Sequence, residues 1–465
     1  MQLTLPVNYN YGQNKIGWTA DELKQKLNIR SKGVLHQVLA NCFDSYEEVY
    51  LTDDRFSNLN VISLRKSSLH DEDIDSFVIR FYKREYYGVT KYFIETGQYA
   101  GYINFKRISI FISLSEKYNI HVLNHLLSYA NNINIDSLPL PTNFTKNQSE
   151  LDYLLCFLFI QRLEKASILG LPKQYVNKND QLSTVKGKID FNQFIKNNLP
   201  FKGEIAVRYR KREEVQEIID VVFYTLYIIK NKFSSQALFK VRSIYNELKS
   251  RYSKSKPNSS TIIKAKRHSV LNNPIFQQFK VVLELAEIII KNLSPEIENE
   301  KSLEISGNLY NTSELFELYI EKILKINFSD WHIEPQKEIS IYKKQFFGRK
   351  LKPDFVLYNQ ESDNYVVLDV KFKTMNYSRF DLDREDLFQL HTYTYYFHNN
   401  IVYSGLIYPL QFIRDTIIST DTLDKFENKF GVLGIELNAK SNYDSIRSSE
   451  IVFINNLSQL ITKNN

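Results

Sequence analysis

The sequence predicts a multidomain α+β protein with a β-rich N-terminal region, a helical middle and a C-terminal α/β third. Three observations carry that division. Period-two alternation of apolar residues marks strands near the start and in the last third. Long apolar runs in the middle, Leu151 to Ile160 and Ile218 to Ile229, read as buried helices. The stretch Leu138-Pro139-Leu140-Pro141-Thr142-Asn143 reads as a linker between the first part and the second.

Four segments are expected on this pattern: 1–90, 91–135, 136–300 and 301–465. In the first, Ala20 to Leu27 reads as a helix and Phe77 to Tyr82 as a strand, and no role can be read for it. In the second, Gly97 and Gly101 punctuate strands, Ile108 to Ser113 alternates, and Asn119 to Ala130 forms an amphipathic helix. In the middle, Asn147 with Glu150 resembles a capping box opening a helix through Leu163. Further helices are expected over Glu213 to Lys230 and Phe276 to Asn292, the last closed by Pro295. Between them, Val185 to Phe191 reads as a turn into a short strand or helix start.

Composition narrows the function classes. The chain has 465 residues, 43% hydrophobic and 24% charged, the balance of an ordinary folded protein. Its apolar runs fall short of the roughly 20 residues a membrane span needs, and Met1 to Pro6 lacks the pattern of a signal peptide. A cytoplasmic location with no membrane contact is the expectation. Two cysteines, Cys42 and Cys156, supply neither a disulfide framework nor a four-cysteine cluster. Sixty Lys and Arg against 53 Asp and Glu leave a net charge of +7, a bias that suits a polyanionic partner. The runs Arg208 to Arg212 and Lys264 to His268 are its basic clusters. No phosphate-cradling G-x-x-x-x-G-K-[ST] loop occurs, so a nucleotide site is not expected.

The last third carries the chemistry. Ser313 to Lys325 reads as a helix, Ile333 to Tyr342, Asp354 to Tyr358 and Tyr365 to Lys373 as strands, Leu382 to Phe397 as a helix and Ile401 to Tyr408 as a strand. On the third of these strands, alternation places Asp369 and Lys371 on one face. The preceding strand opens with Pro353-Asp354, and the polar turn Asn359 to Asn364 folds it back, which brings Asp354 toward Asp369. Two converging carboxylates make a hard-oxygen site suited to Mg²⁺, with Mn²⁺ able to substitute, completed by the backbone carbonyl of Val370 and by water. Hydrolysis of a phosphodiester needs an activated water and charge compensation at phosphorus, and a bound metal supplies both. Lys371 is expected to stabilise the phosphorane or to position the water. Glu317 on the preceding helix is an outer carboxylate candidate. Gln389 and Tyr393, one turn apart on the following helix, point to the same site. Helix, three strands, helix, strand is the order of restriction-endonuclease-like nucleases of the PD-(D/E)xK class.

Taken alone, the acid-x-Lys triplet is weak, because Glu22-Leu23-Lys24 and Glu247-Leu248-Lys249 match it within stretches that read as exposed helix. Context separates them: only Asp369 and Lys371 lie on a strongly apolar strand next to a hairpin. His391 and His398 lack partner histidines at ligand spacing and read as structural.

With these motifs in order, the chain resembles the McrC family, the nuclease subunit of McrBC-type restriction systems. The residues that carry the resemblance are Gly97 to Ile103, Leu126 to Ala130, Lys186-Gly187-Lys188-Ile189-Asp190-Phe191, Leu315 to Tyr319, Lys352-Pro353-Asp354, Leu368 to Lys373 and Asp386 to Tyr393. The resemblance implies DNA as substrate and an McrB-like AAA+ GTPase as partner, which this chain stimulates, with residues 136–300 holding the partner contact. Residues 1–90 lie outside it. LlaJI-like relatives cut unmethylated sequences, so methylcytosine dependence does not follow. Two other readings stay open on the residues alone: a catalytically idle activator or scaffold, and a free-standing DNA-repair nuclease.

Overall fold

Alternating apolar residues build the start of the chain as strands: β1 (Gln2–Pro6), β2 (Glu47–Tyr50), β3 (Asn58–Ile62), β4 (Phe77–Tyr86), β5 (Val89–Thr96), β6 (Tyr99–Phe105) and β7 (Ile108–Ser113). Helices α1 (Ala20–Lys26), α2 (Lys32–Phe43) and α3 (Ile120–Asn131) accompany them. The computed structural model describes residues 1–9, 17–44, 46–50, 58–62, 77–105, 108–114, 118–131, 149–197, 200–233, 235–293, 306–340, 350–373, 382–397, 400–411, 419–422 and 429–462. The linker at 138–143 and the capping Asn147 lie outside these residues. Thr19 and Glu22 form a reciprocal capping box on α1, so the acid of the first decoy triplet caps a helix.

Contacts divide the chain into two compact units, residues 1–137 with 301–465, and residues 138–300. The four-segment division differs from this, and one strand is the reason. After the middle unit the chain returns as β11 (Ser306–Asn311) and enters the N-terminal sheet, whose order is β1-β7-β6-β11-β3. It runs antiparallel to β6, with Leu309 opposite Gly101, and parallel to β3. Residues before 137 and after 301 therefore share one sheet. A second sheet, β2-β4-β5, lies in the same unit.

The middle unit contains α4 (Ser149–Ala166), β8 (Lys173–Leu182), β9 (Lys188–Ile189), α5 (Phe191–Asn197), β10 (Ile205–Glu214), α6 (Gln216–Phe233), α7 (Arg242–Arg251), α8 (Ser259–Arg267) and α9 (Phe279–Leu293). Helix α9 packs on α4 and α6 through Phe279, Val282, Ala286 and Ile289, all fully buried. The expected helix from Glu213 starts later: Arg208 to Glu214 belong to β10, paired with β8 along its whole length, and the helix opens after Val215. Gly187 has φ +78°, and a Cβ there would stand 2.5 Å from the Arg208 carbonyl, so the turn into β9 requires glycine. The second decoy triplet sits on α7, where Glu247 pairs with Arg251. The basic run Lys264 to His268 ends α8, and Cys156 is buried in α4.

The last part of the first unit holds α10 (Thr312–Asn327), β12 (His332–Pro335), β13 (Phe355–Asn359), β14 (Asn364–Val370), α11 (Arg384–Tyr396), β15 (Ile401–Leu410), β16 (Ser419–Thr422), β17 (Lys429–Glu436) and α12 (Tyr443–Thr462). The Asn311 side chain ends β11 and caps α10 by accepting from the Ser313 and Glu314 amides. The sheet order is β12-β13-β14-β15-β17-β16, antiparallel across the first three strands and parallel from β14 to β17. All ten residues of β15 are buried, as a parallel strand covered on both faces requires. Helices α3, α10 and α12 meet around Glu450, which accepts from His125 Nε2 at 2.5 Å, Tyr129 Oη at 2.9 Å and Tyr319 Oη at 2.7 Å. Among the described residues, no helix is long and apolar enough to cross a membrane.

Candidate active site

The site begins with a turn. Asn359 Oδ1 accepts from the amides of Glu361 and Ser362, and Asp363 takes φ +54°, so the chain reverses between β13 and β14. The register that follows pairs Phe355 with Leu368. Continued by one residue, it sets Asp354 opposite Asp369. Asp354 Oδ2 accepts from the Val370 amide at 2.7 Å, which ties the loop carboxylate across the end of the strand.

Burial raises the Asp354 carboxyl well above the usual carboxylate range, and the nearby charges of Glu317 and Asp369 push it further. Lys371 and the Val370 amide oppose that rise without cancelling it. Asp369 is 1% exposed. Its Oδ2 stands 2.8 Å from Lys371 Nζ, close enough for charge pairing, yet this buried oxygen accepts no aligned hydrogen bond.

Lys371 follows the last strand residue, its amide continuing the ladder to Ile407 at 2.9 Å. Burial works against its charge, but Asp369, Asp354 and Asp386 outweigh that cost and hold its pKa above the ordinary lysine value. Nζ donates to Gln389 Oε1 at 3.0 Å, Gln389 Nε2 donates to Tyr393 Oη at 2.7 Å, and Tyr393 Oη donates to the Lys352 carbonyl at 3.2 Å. That chain runs from the ammonium to the loop just before Asp354. Tyr393 is buried in a core with Val367, Leu390, Leu406 and Tyr408, so α11 is seated firmly on β14 and β15.

The structure therefore brings Asp354, Asp369, Lys371, Gln389 and Tyr393 together, with Val370 at the junction. Glu317, on α10, is near enough for its charge to raise the Asp354 carboxyl. It accepts from Gln336 Nε2 at 3.1 Å, and the Gln336 amide donates to the Asp354 carbonyl at 2.8 Å. Among the described residues, no three His, Cys, Asp or Glu side chains converge as a metal cluster. His391 stacks on Phe430, and His398 lies outside the described residues.

Two neighbours of the site are not among the residues the sequence assigns to it, although Asp386 opens the Asp386 to Tyr393 motif. Gln336 has φ +49° and gives no signal of a link to Glu317. Asp386 lies three residues before Gln389, a helical spacing that puts both on one face, and that was the available signal. Its carboxylate contacts Lys371, Lys373 and Tyr408.

A family model described as the McrBC 5-methylcytosine restriction system component matches residues 94–409. No curated protein matches the chain. Among solved structures, the chain is similar to one in the refined half-complex from the tetradecameric assembly of Thermococcus gammatolerans McrB AAA+ hexamers with bound McrC. That match has 13% identity and a TM-score of 0.52, and covers 98% of this chain and 100% of that one. A second match is to the cryo-EM structure of the Thermococcus gammatolerans McrBC complex, with 13% identity and a TM-score of 0.31, covering 71% of this chain and 89% of that one. Identity this low bears on the fold alone. The family model spans well over half of the sequence and includes every candidate site residue named above. The chain accordingly belongs to the family of McrBC 5-methylcytosine restriction system components, the family whose McrC members its motifs resemble.

Proposed function

We propose that this chain is the DNA-cutting subunit of a GTP-dependent restriction system, with its centre at Asp354, Asp369 and Lys371. One observation carries the reading: a hairpin register sets two carboxylates opposite each other and puts a lysine ammonium beside them. The helix, three strands, helix, strand arrangement around them suits a restriction-endonuclease-like domain of the PD-(D/E)xK class.

The donor set fits a hard divalent cation. A buried carboxylate oxygen without a hydrogen bond, and a second carboxyl whose pKa is raised by burial and by its acidic neighbours, both suit a bound positive charge. Asp354, Asp369 and the Val370 carbonyl would hold Mg²⁺ or Mn²⁺, which supplies an activated water and charge compensation at phosphorus. Lys371 is the chain's own cation for the transition state, a point charge held by Asp369 and Gln389. Gln389 and Tyr393 keep Lys371 registered to the Lys352–Asp354 loop. Glu317 is the outer carboxylate, its charge felt at Asp354 and its side chain held by Gln336.

The partner in this reading is an McrB-like AAA+ GTPase, contacted by the middle unit, which this chain stimulates. The chain works in the cytoplasm and binds no nucleotide itself. A plasmid assay with the full-length chain tests the division of labour. With Mg²⁺ alone, specific cutting is expected to stay at background, and cutting appears when partner and GTP are added. Efficient site-specific cutting by the chain alone overturns the two-subunit reading, and no cutting by the complete mixture overturns the nuclease reading.

A further inference from the structure

Asp386 is a buried carboxylate on α11. It is 5% exposed, and taking a carboxylate out of water is unfavourable unless its partners compensate. Three side chains converge on it, two from the segment after β14 and one from β15. Lys373 Nζ stands 3.2 Å from Oδ1 and 3.0 Å from Oδ2, Tyr408 Oη donates to Oδ2 at 3.2 Å from β15, and Lys371 Nζ lies 3.8 Å from Oδ1. Lys373 does not explain the burial. Its side chain is 36% exposed and already pairs with Asp383 at 3.2 Å.

Lys371 supplies the better reason. Its ammonium is surrounded by Asp369 at 2.8 Å, Gln389 at 3.0 Å and Asp386 at 3.8 Å, the last two offered by one face of α11. Among the described residues, Asp369 and Asp386 are the two carboxylates within 4 Å of it. Asp369 belongs to the proposed cation site, whereas Asp386 is committed to protein donors.

We propose that Asp386 is a positioning residue for the cleavage reaction: held by Tyr408, it is the counter-charge that keeps the ammonium of Lys371 beside the carboxylate pair while Asp369 serves the cation. The proposal rests on the nuclease reading above.

The test uses the full-length chain with its GTPase partner, GTP, Mg²⁺ and cognate DNA. Asp386→Asn is expected to lower the single-turnover cutting rate about 10- to 100-fold, the usual penalty for losing an outer partner of a metal or catalytic site. The Mg²⁺ midpoint, DNA affinity and stimulation of the partner's GTPase stay at wild-type values. Lys373→Met, which removes only the other lysine, costs less than about threefold, and Asp386→Asn keeps its effect in that background. If Asp386→Asn no longer stimulates the GTPase, Tyr408→Phe replaces it and slows cutting about tenfold by freeing the Asp386 carboxylate. Wild-type cutting by Asp386→Asn, a shifted Mg²⁺ midpoint, or an equal loss in Lys373→Met overturns the proposal. A wild-type complex that does not cut overturns the nuclease reading instead, so the two failures are distinguishable.

Discussion

Alanine at Asp354, Asp369 or Lys371 is expected to lower DNA cleavage by the partnered chain about a hundred- to a thousandfold or more, while the chain stays folded and still stimulates the partner's GTPase. The magnitude follows from what each side chain contributes. Asp354 and Asp369 are the two carboxylates brought into register by the β13–β14 hairpin, and Lys371 is the cation in contact with Asp369. The preserved fold follows from electrostatics. Asp354 is strained toward its neutral form by burial and by the charges of Glu317 and Asp369, so removing Asp369 relieves one repulsion while it costs one ion pair. Stability without metal should stay within about 1 kcal/mol of wild type for Asp369→Ala. Loss of cutting together with loss of fold would place these residues in the core instead. Glu317→Ala, which removes the outer carboxylate and leaves Asp354, Asp369 and Lys371 in place, should be milder.

The largest effect on stability is expected at Glu450, far from the proposed chemistry in sequence. Glu450 is 4% exposed and accepts from three donors on two other helices, His125, Tyr129 and Tyr319. Glu450→Ala leaves the buried His125 imidazole and Tyr319 phenol and the half-buried Tyr129 phenol without their acceptor, and breaking a charged network of this kind costs about 3–5 kcal/mol. Glu450→Gln retains an acceptor oxygen and should cost roughly half as much. Chemical denaturation followed by circular dichroism reads both. A loss below about 1 kcal/mol for the alanine variant would mean that water satisfies these groups and that the three helices are held by apolar packing alone.

How far each feature could be read depended on where its partners lie. Ile108 to Ser113 carries isoleucine at every second position and forms β7 within those bounds, with five of its six residues buried. Asp369, Lys371 and the turn at Asn359 to Asn364 were legible for the same local reason: period two and turn chemistry operate within a dozen residues. Gln389 and Tyr393 are one turn apart, and the helix places them in contact. By contrast, Ser306-Gly307-Asn308-Leu309-Tyr310-Asn311 has no clear alternation, and it becomes an interior strand only because β6 and β3, distant in the sequence, accept it. That pairing joins the chain's two ends into one unit. Arg208 to Glu214 reads as a charged surface run, yet it extends because β8 lies along it. Glu450 looks like any solvated helix acid, since the donors that make it structural lie 131 to 325 residues away.

The central claim is that Asp354 and Asp369 together form a divalent-cation site, and cation binding to the full-length chain without partner or DNA tests it most directly. Mn²⁺ titration followed by electron paramagnetic resonance should show a saturable site in the wild-type chain, competed by Mg²⁺. That site should be absent in both Asp354→Ala and Asp369→Ala, and retained in Lys371→Ala, which removes a neighbouring positive charge. Binding in the Asp369→Ala chain with wild-type affinity would contradict the account.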